Sequence, residues 1–320
     1  MKIGVFTVLF GDRPLEETLD YLVEAGVEAV EIGTGAYPGN AHCDPDALLS
    51  DAKKLDAFRK AIDERGLVLS ALSCHGNPLH PDERIAAAHD AVFEKTLELA
   101  NRLGVERVIT FSGCPGGGPD ATQPNWIVSP WPPEFAEMLD WQWRERVVPY
   151  WADAAEAARR AGVKVAIEMH PNFVVYNPET MLRLREIAPD VIGCNFDPSH
   201  LFWQGADPVA AIHALGDAIY HVHAKDCRLH RHNIAVNGVL DAKKYTREAE
   251  RSWIFRTVGY GNDALVWKDI ISALRMVGYD HVISIEHEDS LMSPAEGLRK
   301  AIAFLKGVVI KEPPGVAYWA

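Results

Sequence analysis

Short apolar and β-branched runs recur along the chain. Each is followed by a longer stretch in which apolar residues return every three or four positions. The short runs are Ile3 to Val8, Ala29 to Ile32, Val68 to Leu72, Arg107 to Phe111, Val163 to Met169, Val191 to Phe196, Ile219 to Ala224 and Val282 to Ile285, eight in all. Between them, PLEETLDYLVEAG, ERIAAAHDAVFEKTLELANRLG, VVPYWADAAEAARRAG, ALVWKDIISALRMVG and AEGLRKAIAFLKG have helical spacing. Most carry acids early and end in Gly, as helix termini prefer. Eight strand-helix units with no Pro- or Ser-rich linker predict a parallel sheet closed into a (β/α)8 TIM barrel, one α/β domain over residues 1–320.

Two connections exceed ordinary turns: Ser112 to Trp143, with GCPGGGP and four tryptophans, and Asp226 to Asp263, which ends in WIFRTVGYG before its last polar residues. They follow the fourth and seventh strands, so in a barrel they are long loops on the C-terminal face, where active sites are built. Gly116, Gly117 and Gly118 lack the Lys-Ser/Thr of a phosphate loop, and Gly259 and Gly261 follow no dinucleotide-binding strand.

Alternate residues of a strand face opposite sides. In the late strands the apolar residues claim the helix side: Val165 and Ile167; Ile192, Cys194 and Phe196; Tyr220, Val222 and Ala224; Ile283 and Ile285. The barrel interior then receives Glu168, Asn195 with Asp197, His221 with His223 and Lys225, and Ser284 with Glu286. Strands five to eight thus each deliver one metal-capable group to the mouth: Glu168, Asp197, His223 and Glu286. Three carboxylates and an imidazole around one point repel unless a cation neutralises them. An oxygen-rich set of this kind suits one divalent ion, Mn2+ first, with Mg2+, Co2+ or Zn2+ as substitutes.

Composition narrows the field. With 32 Lys and Arg against 45 Asp and Glu, the net charge is -13, the wrong sign for a nucleic-acid surface. The five cysteines are dispersed and form no C-x-x-C pair, as expected of reduced thiols in a cytoplasm. No apolar stretch reaches the ~18 residues of a membrane span.

The stretches VAIEMHP, NFDPSHL, YHVHAKD and ISIEHED together resemble the xylose isomerase-like TIM-barrel superfamily, which includes ketose 3-epimerases, inosose dehydratases and isomerases, and the metal subunits of C-glycoside deglycosidases. The resemblance implies that Glu168, Asp197, His223 and Glu286 hold one divalent ion and that His200 lines the substrate pocket. The chain departs from the ketose 3-epimerases, whose Arg six positions after the metal His and Glu six after the first metal Glu are here Leu229 and Val174. It also lacks the Asp-x-His after the seventh strand that the related nucleases use.

The expected activity is a metal-dependent sugar isomerase or epimerase that moves a proton next to a carbonyl through an enediolate, with Glu168, Glu286 and His170 as catalytic groups. His200, Lys225, Arg228, His75 and Trp126 are the expected substrate contacts. A lyase-type deglycosidase acting on a 3-oxo-glycoside with a small partner subunit, and a sugar-binding barrel without turnover, are the alternatives. The expected ligand is a small sugar, without nucleic acid or membrane, and homo-oligomers are common among such barrels. Trp126, Trp131, Trp203 and Trp253 have two readings, stacking on a sugar or aromatic aglycone and packing of the long loops.

Overall fold

The computed structural model describes residues 1–319. Ten strands occur in chain order: β1 (Lys2–Phe6), β2 (Ala29–Gly33), β3 (Val68–Ser73), β4 (Arg107–Phe111), β5 (Lys164–Glu168), β6 (Ile192–Phe196), β7 (Ile219–Ala224), β8 (Asp226–Leu229), β9 (Trp253–Arg256) and β10 (Val282–Ile285). Eight of them close into a parallel barrel in the order β1-β10-β7-β6-β5-β4-β3-β2. Closure runs through β1 and β10, with Lys2 opposite Val282 and Val5 opposite Ile285. The predicted helices occur at Leu15–Ala25, Glu83–Leu103, Val148–Ala161, Ala264–Met276 and Pro294–Lys306.

Local chemistry fixes their ends. The Asp82 carboxylate accepts from the Arg84 amide at the start of the helix Glu83–Leu103, and Gly104 closes it in the left-handed conformation at φ 73°. Among the described residues no helix is long and apolar enough to cross a membrane. All five cysteines are free and buried.

The outward residues Val165, Ile167, Ile192, Cys194, Phe196, Val222, Ile283 and Ile285 join one continuous core with the surrounding helices. Inside the barrel, Ala71, Ile109, Ala166 and Tyr220 form a separate apolar layer. Tyr220 therefore points inward, not toward the helices as strand alternation had placed it. The cause is a bulge: Ile219 pairs with Cys194, but His221 pairs with Asn195, so Tyr220 is the extra residue and alternation resets there. Its ring covers Gly193, where a Cβ would collide with it.

The two long connections contain more structure than a loop. After β4, residues Glu134–Trp141 are helical and run through one wide turn, Gln142–Val147, into the helix Val148–Ala161. The Gln142 amide donates to the carbonyls of Pro115, Gly116 and Asn125 at 3.2, 3.1 and 2.7 Å, which pins the glycine-rich segment. After β7, strands β8 and β9 pair antiparallel outside the barrel, with Cys227 opposite Phe255. The buried Asp226 carboxylate organises the turn that leaves β9, accepting the amides of Gly259, Gly261 and Asn262 at 2.9, 3.1 and 3.0 Å and the Trp267 indole at 3.2 Å. The glycines of GYG thus serve an intramolecular anion, and a Cβ at Gly261 would clash with that carboxylate.

Candidate metal centre

Above the apolar layer the barrel interior turns polar. Glu168 ends β5, His223 lies on β7, and Asp197 and Glu286 stand one residue beyond β6 and β10. One donor atom from each of these four lies within 4.8 Å of every other. Glu168, Asp197 and His223 are buried, and Glu286 is 14% exposed. Asp197 also caps the helix Pro198–Gln204 by accepting from the Ser199 amide at 2.8 Å through Oδ1, which turns Oδ2 inward.

The donor set passes a test of fit for a cation. His223 Nδ1 is 3.2 Å from a Glu168 oxygen and 2.9 Å from a Glu286 oxygen, yet Nδ1 and Asp197 Oδ2 have no aligned hydrogen-bond partner. Buried polar atoms without partners are costly. Here the two orphaned atoms belong to one carboxylate and one imidazole that share a point with the Glu168 and Glu286 carboxylates, a set that a divalent cation satisfies.

The surrounding groups set the charges. Burial alone would raise the Glu168 carboxyl, but His223 and His75 hold it well below the usual carboxylate range. Lys225 and His223 overcome burial at Glu286 and hold it down to about 2. Burial, with Glu168 and Glu286 close by, pushes Asp197 up to about 6 against the pull of Lys225. The Lys225 ammonium is itself buried, 3.1 Å from Asp197 and 3.0 Å from Glu286, and these acids keep it charged in spite of burial. Burial and the nearby Lys225 push the His200 imidazole down to about 4.

The other expected site residues divide. His75 Nε2 hydrogen-bonds a Glu168 oxygen at 2.9 Å, and Asn195 Nδ2 donates to the same oxygen at 3.0 Å. His200 Nε2 is 3.4 Å from Glu168 and 3.2 Å from Asp197, and the His170 ring packs on it with centroids 4.2 Å apart. His75, His170 and Lys225 border a cavity of about 180 Å³ above the four donors. His170, His200 and Trp126 border a second cavity of about 430 Å³ beside it. Arg228 lies apart from both, exposed on β8, where its guanidinium donates to the Gly261 carbonyl at 3.1 Å. Trp131 is 75% exposed and borders neither.

Sequence reasoning missed Glu31. Fully buried on β2, its carboxylate accepts from Ser73 at 2.6 Å, Ser284 at 2.7 Å, His221 Nε2 at 3.0 Å and His223 Nε2 at 3.0 Å. With His223 Nε2 directed at Glu31, Nδ1 is the nitrogen left facing the centre, where giving up its proton to an incoming ion would leave a lone pair to bind it. The available signal was a lone acid in the apolar strand AVEIG, on the same alternation as Ala29 and Gly33.

Comparison with known proteins identifies the family. Residues 19–308 match the family described as xylose isomerase-like TIM barrel. The uncharacterised protein YfiH of Bacillus subtilis (strain 168) is 42% identical over 312 residues, covering 97% of this chain and 99% of that protein. An inosose dehydratase of Geobacillus kaustophilus is 33% identical over 92 residues, 28% of this chain and 30% of that enzyme. Among solved structures, the IOLI protein with a bound zinc atom superposes with a TM-score of 0.66 at 19% identity, covering 97% of this chain and 98% of that one. The 3-keto-D-glucoside 4-epimerase YcjR of E. coli gives 0.62 at 18%, covering 96% and 99%. The protein belongs to the xylose isomerase-like TIM-barrel family.

Proposed function

We propose that the protein is a divalent-metal-dependent sugar isomerase or epimerase that transfers a proton at the carbon next to the carbonyl of a keto-sugar or sugar derivative. The observation that carries this reading is the convergence of Glu168, Asp197, His223 and Glu286 at the barrel mouth, with Asp197 Oδ2 and His223 Nδ1 lacking hydrogen-bond partners. These four would hold the ion, Mn2+ by its preference for such a set. When bound, the ion supplies Lewis-acid polarisation of the carbonyl and neutralises developing negative charge.

The remaining chemistry belongs to side chains. Glu168 and Glu286 reach the mouth from β5 and β10, with β6 and β7 between them in the barrel, so they approach a bound sugar from separate sides. One takes the proton α to the carbonyl and the other returns a proton to the opposite face, giving epimerisation. Return to the neighbouring carbon gives aldose-ketose isomerisation. A placed base of this kind contributes roughly 10²- to 10⁴-fold. Lys225, His200 and His170 hold hydroxyl groups, and His75 and Asn195 fix the Glu168 carboxylate.

The inosose dehydratase relative favours a second reading. If a leaving group sits β to the carbon that loses its proton, it departs, and the outcome is a lyase, a dehydratase or a deglycosidase. Both readings share the first proton removal. Incubation of the Mn2+-loaded protein with a keto-sugar panel in deuterated water should place deuterium α to the carbonyl, and Glu286→Gln should abolish the exchange. Absence of exchange across the panel, or undiminished exchange in that variant, would remove the proposal.

A further inference from the structure

The cavity above the four donors, about 180 Å³, is smaller than the ~300–1,000 Å³ that usually encloses an organic ligand. It is not isolated. His170 borders it and also two larger cavities of about 430 and 690 Å³, which share Asn172, Tyr245 and Phe255. The three spaces adjoin one another at His170 as one cleft that begins at the candidate metal centre and runs outward past β9, whose Trp253, Ile254 and Phe255 line it.

Its walls are aromatic and ordered. The Lys225 ammonium, hydrogen-bonded to Glu286 and 3.1 Å from Asp197, lies 4.8 Å above the Phe255 ring. Phe255 meets Trp253 at 5.2 Å between centroids, and Trp253 stacks on Trp203 at 4.6 Å and 7°. Tyr245 stacks parallel to Phe255 at 5.9 Å and is 56% exposed, which places it at the rim. Trp126 closes the other side, held edge-on by Tyr176 at 5.4 Å. The lining of the 430 Å³ space also carries polar groups, since the indole N–H groups of Trp126 and Trp203 have no hydrogen-bond partner within the protein. Trp203 is only 5% exposed, so its N–H is a desolvated donor.

Loop packing alone accounts for stacked tryptophans. It does not account for an aromatic surface that opens into a cavity, retains orphaned donors and is continuous with the charged centre. Flat apolar faces edged by N–H donors match a flat ring that bears oxygen acceptors.

We infer that this cleft is a second subsite, which receives a ring joined to the keto-sugar through its glycosidic oxygen. This inference rests on the proposed function and deepens it: the substrate class is a glycoside of a keto-sugar, its reacting ring over Glu168 and Glu286 and its second ring between Trp126 and Phe255. The second ring is either an aryl group or another pyranose, both of which present the required flat face.

The test uses the Mn2+-loaded full chain with methyl, phenyl and glucosyl β-glycosides of 3-keto-glucose, reading deuterium incorporation by NMR. At least one ring-bearing glycoside should exceed the methyl glycoside in kcat/KM by about tenfold, the scale of one or two aromatic contacts. The phenyl and glucosyl arms tell which ring is taken. Trp126→Ala and Tyr245→Ala should each bring the ring-to-methyl ratio toward one. The ratio is the readout, and Tyr245 is exposed enough that its loss should not unfold the chain.

Equal rates for all three glycosides would overturn the subsite while leaving the proton-transfer reading intact. If no glycoside exchanges, tryptophan-fluorescence titration of the metal-free protein with phenyl and methyl β-glucosides decides separately. Saturable quenching by the phenyl compound alone sustains the cleft and sinks the enolisation. No difference between the two sinks the cleft as well.

Discussion

Glu31→Gln is the most discriminating change available in the barrel. The substitution conserves size and leaves every proposed ligand in place, but it replaces an acceptor-only group with one half of which donates. The Glu31 carboxylate now accepts from four groups, among them His223 Nε2 at 3.0 Å to both oxygens. Burial alone would raise this carboxyl, yet His223 and His221 hold it well below its ordinary range, so the ion is intrinsic to the arrangement. A glutamine NH2 aimed at His223 Nε2 favours the tautomer protonated on Nδ1, which turns an N–H toward Glu168 and Glu286 where a lone pair is needed. Loss of such an outer carboxylate partner typically costs ~10- to 100-fold in metal affinity, roughly 1.4–2.8 kcal/mol.

The assay is competition for Mn2+ against a chromogenic chelator, paired with denaturation with and without metal. At a metal concentration of about 100 wild-type dissociation constants, binding stabilises the wild type by ~2.7 kcal/mol. The variant should retain only about 0.4–1.4 kcal/mol of that stabilisation at the same concentration. Wild-type Mn2+ affinity in a folded Glu31→Gln protein would refute the argument that this carboxylate sets the His223 tautomer. Ser284→Ala, which removes one donor to Glu31 without changing the charge, should weaken Mn2+ binding less than Glu31→Gln does.

Two other changes test neighbouring claims. Asp226→Asn places an amide donor against the amides of Gly259, Gly261 and Asn262 and should lower stability to urea by about 3 kcal/mol, the scale of charged hydrogen bonds lost in a buried site; a loss under about 1 kcal/mol would contradict the role given to this carboxylate. Lys225→Met removes a positive charge that lies within 3.1 Å of two proposed ligands, so Mn2+ should bind at least about tenfold tighter while keto-sugar turnover falls; unchanged or weaker binding would show that the ammonium does not oppose the cation.

Much of this was legible in the chain because a closed barrel obeys a simple rule. Outward positions on β5, β6, β7 and β10 must be apolar to meet the helices, so a charged residue on the other alternation stands out, and Glu168, His223 and Glu286 are found that way. Alternation fails where a bulge resets it, and Tyr220 is the casualty: nothing in IYHVHA marks the extra residue, since the bulge is a property of pairing between β6 and β7. Glu31 was passed over because its strand lies across the barrel from the motif-rich half, and its partners come from β3, β7 and β10. The strand pair β8 and β9 was invisible for a different reason. Its members are separated by residues 230–252, far beyond a hairpin turn, so no local turn signal marks their pairing.

The order of strands explains why the aromatic cleft and the candidate metal centre coincide on one side of the mouth. In the barrel β4, β5, β6 and β7 are consecutive neighbours. The long segments follow β4 and β7, so they flank the short connections that follow β5 and β6. Trp126 comes from the first, His170 and Asn172 from the second, His200 and Trp203 from the third, and Tyr245, Trp253 and Phe255 from the fourth. Four successive connections thus build one wall, and three of the four proposed ligands issue from the same strands. Residues of the long segments shape what lies beyond the reacting ring, whereas Glu168, Asp197, His223 and Glu286 are fixed by strand ends and by the buried Glu31. Ligand-ring preference and proton chemistry therefore reside on separable parts of the chain, and changes in the segments after β4 and β7 are expected to alter the former without repositioning the four donors.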